Sequence, residues 1–544
     1  MELDMPDQAD RAPQACVSCR RQKRKCDKLL PSCSLCSRMS RACDYSEVTA
    51  NPTFEDFATM RQKIADLEAR LEGRRSESWH GPMRSVSRSP ASCIDHSDRN
   101  ATFPAAFFLD GEVFRDAQMV VPKPTMPVPP EVVATVGVSI LDIQDVVDRY
   151  FANVQVWLPF ISKKRMQLNL ANPGMELTLD LALLLLSMKL ILQVPQGGPH
   201  AARSPLYSLT KSYFNMVDSF GVVSLQVLQA DLLIAAYEIG HGIYPAAYLT
   251  TGHCARLGHI LGINDRKNAP QLLRRKPGAW AELEEMKRVW WTVMLLDRYV
   301  NLGSRGHPLA TDDPVRNETL PADDGMWDEG ELSTSEPLYV STPTNVRASP
   351  FARTCQATHL LGRLIRLLND RVLDASMRFS EAIQLHRTLQ ALANLLPNDV
   401  ARAPERYGTP LAICYSSLMH LCDPFACTES NHGQHTVEET EMQTIAIAGL
   451  KTLAADVLRF SELFHISMLA NPAASSPLVG DCLYFAASIY AWLANETGSK
   501  PMADAYHSLR RVLETMGTRW AVAHEYLALL NTSKETLYAD SVLI

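Results

Sequence analysis

The sequence lacks an apolar run long enough to cross a bilayer. Its most apolar stretch, Leu181 to Leu192, is twelve residues long and contains Lys189, whereas a spanning helix needs roughly 20 apolar residues. Few segments alternate apolar and polar residues as half-buried strands do, and we recognise no signal peptide. These absences argue against a membrane protein, a β-sheet protein and a secreted protein.

The composition is that of a large globular protein with one cationic arm. The chain has 544 residues, of which 46% are hydrophobic, enough for about three or four domain-sized units. Between Cys16 and Cys43 there are eight Lys/Arg and one acid, a net charge of +7, which leaves −14 on the rest because the whole chain carries −7. Only the N-terminal arm therefore suits a polyanion, and the remainder should repel one.

Six cysteines near the N-terminus form an internal repeat with the spacing C-x2-C-x6-C-x6-C-x2-C-x6-C. The repeated cysteines are Cys16, Cys19 and Cys26, then Cys33, Cys36 and Cys43. A tetrahedral zinc ion needs four ligands, and six thiolates supply the eight bonds of two ions only if two thiolates bridge both. The spacing predicts one two-zinc cluster, with Cys16 and Cys33 as the bridging ligands. We expect each C-x2-C to begin a short helix whose N–H groups face the thiolates.

Two other uses of these cysteines stay open. Three disulfides would also use six cysteines, but the chain has an odd total of 13 and no recognised secretion signal. A single zinc ribbon built from the two C-x2-C pairs would leave Cys26 and Cys43 without a role.

The segment ACVSCRRQKRKCDKLLPSCSLCSRMSRACDY resembles the DNA-binding module of fungal Zn2Cys6 transcription factors. The resemblance implies that Lys23 reads guanines of a CGG triplet from the first helix and that Pro31 turns the loop between the halves. A lysine at guanine O6 and N7 is worth roughly 1–3 kcal/mol of discrimination, whereas the other cations hold phosphates. Gln22 stands where many members have a second basic residue. The predicted DNA contacts are Arg20, Arg21, Gln22, Lys23, Arg24 and Lys25.

A short heptad pattern follows the cysteine module. Apolar residues recur at Phe57, Met60, Ile64, Leu67 and Leu71, the a and d positions of two heptads. The pattern predicts a parallel coiled coil that makes a homodimer, so that two cysteine modules reach two half-sites. Because two heptads are few, a solvated amphipathic helix is the open alternative.

The rest of the chain is predicted to be a Ser/Pro/Arg-rich linker followed by helices. The linker has too little apolar residue content to fold, except for a short ordered piece at 103–114. Beyond it the apolar period is helical, as in the face formed by Met286, Val289, Trp290, Val293 and Met294. Helices are predicted at 142–154, 176–193, 205–219, 224–239, 246–262, 281–302, 354–374, 380–396, 439–468, 479–494 and 502–531.

Two segments of this helical part are similar to the middle homology region of the same fungal family. They are YFANVQVWLPFISKKRM from Tyr150 and EEMKRVWWTVMLLDRYVNLGSRGHPLATDDPVRNETLPADD from Glu284. The resemblance implies an all-helical regulatory domain. We therefore predict a disordered tail (1–15), a Zn2Cys6 domain (16–46), a linker (47–56), a coiled coil (57–72), a disordered linker (73–133) and an all-helical domain (134–544).

Two groups of residues in the helical domain have side chains of the kind that catalytic sites use. His253, Cys254 and His259 lie close in sequence, and a Cys–His pair can make a nucleophile, but neither His is spaced to touch Cys254 on a helix. Asp312 with Asp313, and Asp323 with Asp324, precede Pro314 and Gly325, which is typical of turns. We expect no catalysis.

The sequence thus predicts a small Zn2Cys6 cluster module and short coiled coil, followed by a large all-α regulatory domain. The expected partners are double-stranded DNA with CGG half-sites, a second copy of the chain and the transcription machinery or co-regulators, with two Zn²⁺ per chain and no membrane. We expect a nuclear regulator, with residues 20–25 as an import signal or as DNA contacts alone. Several roles stay open for such a regulator. It could activate a biosynthetic gene cluster, repress its targets or control primary nutrient use, and its helical domain could bind an apolar effector. The remote alternative is an enzyme with a DNA-binding tether. No acidic, aromatic-studded tail marks an activating segment.

Overall fold

A computed structural model describes the two units of this chain. The described residues are 12, 14–21, 24–39, 41–45, 103–117, 119–121, 126–172, 174, 176–195, 201–265, 272, 279–303, 306–331, 336–343, 346–426 and 436–541. The units are Met1–Ile94 and Asp95–Ile544, and each has its own core.

The described residues form helices in both units. The first unit has α1 (Val17–Arg21) and α2 (Ser34–Arg38). The second unit, the helical body, has α3 (Ala106–Leu109), α4 (Gly111–Asp116), α5 (Pro130–Val136), α6 (Ile140–Asn153), α7 (Lys163–Leu170), α8 (Leu179–Leu192), α9 (Pro205–Ser219), α10 (Leu225–Gly240), α11 (Ala246–Leu261), α12 (Trp280–Val300), α13 (Asp324–Glu329), α14 (Pro350–Asn369), α15 (Ala375–Leu395), α16 (Pro397–Arg402), α17 (Pro404–Ala426), α18 (Val437–Ala470), α19 (Gly480–Thr497), α20 (Lys500–Gly517) and α21 (Val522–Ser541), with 3-10 turns at Pro472–Ala474 and Pro477–Val479. Within the described part of the body, the β structure is an isolated antiparallel bridge between Thr319 and Tyr339.

Serine residues begin several of the long helices of the body. The hydroxyls of Ser139, Ser204, Ser224 and Ser349 each accept a hydrogen bond from a backbone N–H in the first turn. Such caps satisfy donors that have no partner inside the helix, and each is worth about 1 kcal/mol. The sequence therefore fixes where these helices start.

Two helices lie at the centre of the N-terminal half of the body because they are apolar on all sides. Helix α8 reads LDLALLLLSMKLIL and α10 reads LQVLQADLLIAAYEIG, and almost every side chain of both is buried. They pack against each other, with α5, α6 and α9 against α8 and with α11 and α12 against α10. A helix without a polar face is stable only when other elements cover it.

The C-terminal half of the body is a second layer of helices around α17 and α18. Helix α17 packs on α14, α15 and α18, and the pair α19 and α20 packs on α18. The two halves share a single buried core that runs from Phe114 to Leu530. Arg519 ties them further, because its guanidinium donates to the last carbonyls of α8, those of Ile191 and Gln193.

The structure agrees with most of the predicted helices, has four short helices that were not predicted, α5, α7, α13 and α16, and differs at two longer stretches. Helix α17 was not predicted. Pro410 and Pro424 lie inside it and disfavour a helix, but its burial between α14 and α18 outweighs that propensity. The predicted helix 502–531 is two helices, because Arg519 and Trp520 turn into the core between α20 and α21. The predicted face of α12 is buried except for Trp290, which is partly exposed.

Part of the segment predicted to be a disordered linker, 73–133, is folded. Residues 103–117 form α3 and α4, and α5 begins at Pro130. Phe114 is buried in the main core, and Phe103 and Phe107 pack against it. The helices at 103–117 agree with the short ordered piece predicted at 103–114, and α5 adds a folded stretch at the end of the predicted linker. An aromatic cluster supplies the apolar surface that the Ser/Pro/Arg-rich sequence before it lacks.

A buried ion-pair cluster organises the region around α12. Arg288 is fully buried; its Nε donates to Glu284 at 3.1 Å and its Nη1 donates to Asp324 at 2.8 Å. The guanidinium also lies 4.1 Å from the centre of the Trp327 ring. Since a buried charge is tolerated only when it is paired and hydrogen-bonded, Arg288 holds α13 against α12.

Contrary to the expectation from the sequence, one helical stretch of the described residues, Pro477–Thr497, is long and apolar enough to cross a membrane by length and hydropathy alone. These two properties do not distinguish a span from a core helix. Cys482, Leu483, Ala486 and Ala487 are fully buried among the neighbouring helices, as in the core helix of a globular domain.

Candidate metal centre

The six predicted zinc ligands converge in the first unit. Their Sγ atoms form two overlapping groups of four, and within each group all sulfur atoms lie within 4.8 Å of one another. One group is Cys16, Cys19, Cys26 and Cys33, and the other is Cys16, Cys33, Cys36 and Cys43. Each group is a donor set for one tetrahedral ion, and the two sets share two thiols.

The distances between the sulfur atoms fit metal ligands better than disulfides. Cys16 Sγ lies 3.8 Å from Cys33 Sγ and 3.7 Å from Cys36 Sγ, and Cys19 Sγ lies 3.7 Å from Cys33 Sγ. A tetrahedron with Zn–S bonds of about 2.3 Å has edges of about 3.8 Å, whereas a disulfide bond is about 2.05 Å long. The cluster also takes in Cys26, at 4.0 Å from Cys16 Sγ, which a single zinc ribbon would leave out.

The 17-residue repeat of the sequence appears again in the backbone. The N–H of Arg24 donates to the carbonyl of Cys19 at 2.9 Å, and the N–H of Arg41 donates to that of Cys36 at 3.0 Å. Each bond closes the turn after the helix of its half. The two halves are therefore copies of one local fold, built from the same C-x2-C start.

Two hydrogen bonds tie the halves to each other in the same symmetric manner. The N–H of Val17 donates to the carbonyl of Asp44 at 2.9 Å, and the N–H of Ser34 donates to the carboxylate of Asp27 at 3.2 Å. In both cases the residue after the first cysteine of one half contacts the residue after the third cysteine of the other. These crossed bonds hold the two ligand sets face to face.

The surroundings of the thiols change the pKa of five of them. Burial raises the pKa of Cys16 and Cys19, and it raises that of Cys36 to about 12. Burial also acts to raise the pKa of Cys26 and Cys43, but hydrogen bonds from backbone N–H groups lower it to about 7. Because metal ligands must be thiolates, metal binding by this site releases protons and depends on pH.

Four of the six predicted DNA-contacting residues lie in α1 or shortly after it. Arg20 and Arg21 belong to α1, and Arg24 and Lys25 follow it with exposed side chains. Gln22 and Lys23 lie outside the described residues. The acid of this segment, Asp27, is engaged with Ser34, and the hydrogen bond from Ser34 lowers the pKa of its carboxyl.

Known protein families match both units. Residues 14–52 match the fungal Zn(2)-Cys(6) binuclear cluster domain, and residues 147–424 match the fungal specific transcription factor domain. The chain belongs to the fungal Zn2Cys6 transcription factors. The family assignment agrees with the crowded thiols of the first unit and with the all-helical second unit, and it establishes a zinc-binding DNA-binding protein, not an enzyme.

Several fungal regulators are similar to this Zn2Cys6 protein. Transcription factor BOA15 of Botryotinia fuckeliana is 36% identical over 185 residues, which are 34% of this chain and 98% of BOA15. Transcription factor tazR of Aspergillus terreus is 26% identical over 33% of this chain and 28% of its own. The citrinin biosynthesis transcriptional activator mrl3 of Monascus ruber is 23% identical over 75% of this chain and 82% of its own.

The predicted dimerisation element of this Zn2Cys6 protein is not part of what the structure describes. Phe57, Met60, Ile64, Leu67 and Leu71, and the linker 47–56 before them, lie outside the described residues. The coiled coil stays a prediction.

Of the three residues of the candidate catalytic cluster, His253 and Cys254 contact the same acid, Asp231, which sequence reasoning missed. Asp231 Oδ2 lies 2.8 Å from His253 Nδ1 and accepts a hydrogen bond from Cys254 Sγ at 3.2 Å. Burial raises the pKa of the Cys254 thiol well above its usual value, so the thiol is a poor nucleophile. His259 stacks near Trp290 instead. The signal for Asp231 in the sequence is that it is one of two acids, with Glu238, in a largely apolar helix.

The paired carboxylates have structural partners, as turn chemistry predicts. Asp313 pairs with Arg298 and Arg366, and Asp323 accepts hydrogen bonds from the first N–H groups of α13. Asp324 pairs with Arg288. These three carboxylates hold loops and helix ends of the regulatory domain, and Asp312 contributes its backbone carbonyl, which accepts from Arg298.

Proposed function

We propose that this protein is a nuclear, zinc-dependent transcription activator that binds CGG-containing sites as a homodimer and controls a biosynthetic gene cluster. The observation that carries the proposal is the pair of four-thiol groups that share Cys16 and Cys33. Two zinc ions with these two bridging ligands would use all six thiolates, with four bonds to each ion.

The mechanism assigns base reading to one residue and affinity to several. Held by the cluster, α1 lies in the major groove, where Lys23 donates to guanine O6 and N7. Arg20, Arg21, Arg24 and Lys25 neutralise phosphates, which gives affinity that falls steeply with salt and carries little sequence information. The −14 on the rest of the chain keeps the regulatory domain away from the duplex.

The direction and the target of regulation rest on the relatives. The name of mrl3 describes it as an activator of citrinin biosynthesis, and its similarity runs through 75% of this chain. Recruitment of the transcription machinery, with no chemical step, is the mechanism we propose. A reporter gene driven by CGG sites rises in the presence of an activator and falls with a repressor.

A binding series with full-length variants tests the assignment of base reading. Lys23→Ala should relax the preference for CGG over altered triplets, while Lys25→Ala should weaken binding to all sequences alike. Fluorescence anisotropy at two salt concentrations measures both effects. Equal loss on every sequence with Lys23→Ala would refute base reading by this residue.

Elemental analysis and sedimentation test the remaining parts of the proposal. About two zinc ions per chain are expected. Replacing Ile64 and Leu67 by lysine should convert a dimer to a monomer and weaken binding to a two-half-site operator. Unchanged sedimentation and operator affinity in that variant would remove the coiled-coil dimer.

A further inference from the structure

The folded segment 103–117 presents apolar side chains on two opposite sides. Phe114 is buried, and Phe103 and Phe107 pack against the main core. Phe108 and Leu109, in contrast, are 65% and 83% exposed. The segment is therefore anchored to the body by one set of aromatic rings and exposes a second set of large apolar side chains.

The exposed side of this segment is also acidic. We define the acidic apolar patch as the exposed Phe108, Leu109 and Val113 with the carboxylates of Asp110, Glu112 and Asp116. Against these three acids the segment has one cation, Arg115, which pairs with Glu112 at 3.8 Å. Exposed apolar side chains with a polar rim are typical of interaction surfaces.

The local structure keeps the patch in one arrangement. Asp110 accepts hydrogen bonds from the N–H groups of Glu112 and Val113 at 3.1 Å, and so caps α4. The Phe107 ring meets Phe108 edge-on at 5.0 Å and Phe114 at 5.2 Å. The anchored rings therefore set the position of the exposed ones, which lowers the entropy cost of binding a partner.

The charge of the patch restricts its partner. A nucleic acid or an anionic membrane would be repelled by the carboxylates. A second copy of the chain, docked patch to patch about a twofold axis, would bring the two acidic rims together. An apolar groove bordered by lysine or arginine complements both the side chains and the charge.

We propose that the acidic apolar patch is the activating surface of this protein, and that it binds a co-activator domain whose apolar groove is rimmed by lysine or arginine. Disordered segments that interleave acidic and large apolar residues are typical of transcription activators, and this patch presents the same two kinds of side chain from a folded segment. The proposal rests on the proposed activator function, because it supplies the recruiting element that the sequence did not show as a tail.

The test uses the full-length chain in a fungal host with a CGG-driven reporter. Two variants are compared with the wild type: Phe108→Ser with Leu109→Ser, and Asp110→Asn with Glu112→Gln and Asp116→Asn. The second variant removes the charge and keeps the α4 cap, since asparagine caps as well as aspartate. The matched control is Leu168→Ser with Leu249→Ser, which removes leucines that are 61% and 64% exposed elsewhere on the body.

Reporter transcript, promoter occupancy and sedimentation of the purified chains are measured for each variant. The proposal expects both patch variants to lower the transcript, the apolar one on the order of tenfold, with occupancy and sedimentation unchanged and the control like the wild type. Full transcription by both patch variants would overturn it, as would reduced occupancy or a change in oligomeric state. If the wild type itself does not raise the reporter, the activator function fails, and that failure is distinct from a wild type that activates and variants that activate equally.

Discussion

The two units of this protein are stabilised by different interactions. In the described part of the zinc module, residues 16–45 with gaps, the core is four buried cysteines with Cys26, Leu35, Cys43 and Tyr45 packed against them, and the two helices are five residues long. In the body one continuous apolar core runs through most of the helices. A segment as short as the module cannot bury enough apolar surface to fold without a metal, whereas the body folds by packing.

Metal removal should give the largest difference in stability between the two units. Structural zinc contributes about 10–16 kcal/mol in small domains, so Cys26→Ala, or a strong chelator, should unfold the module and lower operator affinity at least about a thousandfold. The body should keep its helical circular dichroism and its melting temperature.

The matched control for Cys26→Ala is Cys422→Ala, which removes a fully buried thiol from α17. It should leave zinc content and operator affinity unchanged and lower the melting temperature of the body slightly. Retention of CGG preference by Cys26→Ala would contradict the dependence of the module on metal.

The body should respond most to loss of its buried charge cluster. Arg288→Met leaves Glu284 and Asp324 without their common cation, and breaking a buried pair in this way costs about 3–5 kcal/mol. Urea unfolding should show this loss, while zinc content stays the same.

Arg459→Met serves as the control for Arg288→Met. Arg459 pairs with Asp456, but its side chain is 71% exposed, and surface pairs are worth less than about 1 kcal/mol. Similar losses in the two variants would mean that the Glu284–Arg288–Asp324 cluster does not hold the body together.

Close packing between the halves of the body can be tested at a glycine. A Cβ at Gly240, the last residue of α10, would lie 2.4 Å from Trp520 Cε3, and Trp520 is fully buried. Gly240→Ala should therefore destabilise the body by about 1–3 kcal/mol.

Gly252→Ala is the matched substitution, since a Cβ at this position of α11 meets nothing within 4 Å. Alanine in a helix should then stabilise the body by roughly 0.5–1 kcal/mol. Opposite signs in thermal unfolding are the expected outcome, and a loss of stability in both variants would show that the contact with Trp520 is not the cause.

The sequence predicted the parts of the structure whose geometry is set by local chemistry, and it did not predict the parts that are set by contacts between residues far apart in the chain. The convergence of the six cysteines could be predicted because donor type and coordination number allow few arrangements, and α8 could be predicted because a run of leucines must be covered by other elements on all sides. The break at Arg519 and Trp520 could not, since the carbonyl of Ile191 that Arg519 donates to and the His241 ring that Trp520 packs against are far away in sequence. Helix α17 was missed because its burial overrides its prolines.

The stability of the body should depend on pH through a buried histidine, His241, whereas the zinc module has thiols as its titrating groups. Burial beside Arg519 lowers the pKa of His241 to about 3. The unfolded chain therefore binds this proton below about pH 6.5 while the folded chain does not. Stability present above pH 6.5 is lost as the pH falls, by about 1.4 kcal/mol per unit for this residue.

The variant His241→Asn isolates the contribution of this histidine. His241 Nδ1 accepts a hydrogen bond from the N–H of Ala521 at 3.3 Å, and an asparagine oxygen can accept it without titrating. Urea unfolding between pH 6.5 and 4.5 should then lose one proton of pH dependence relative to the wild type. An unchanged slope would show that folding does not prevent the protonation of His241 in this pH range.

The smallest expected effect concerns the backbone of the zinc module. Lys28 has a φ of +63°, a left-handed conformation that costs a residue with a Cβ roughly 1–2 kcal/mol. Lys28→Gly removes this cost but adds freedom to the unfolded chain, so the net gain should be less than about 1 kcal/mol, or roughly fivefold in zinc affinity. Lys28→Ala loses the same charge and keeps the strain, so zinc competition with a chelator should rank glycine above alanine. Bonds to the metal dominate the stability of the zinc module, so we expect it to tolerate a strained lysine, unlike the tightly packed body. Equal zinc affinities for the two variants would show that the left-handed turn is not strained.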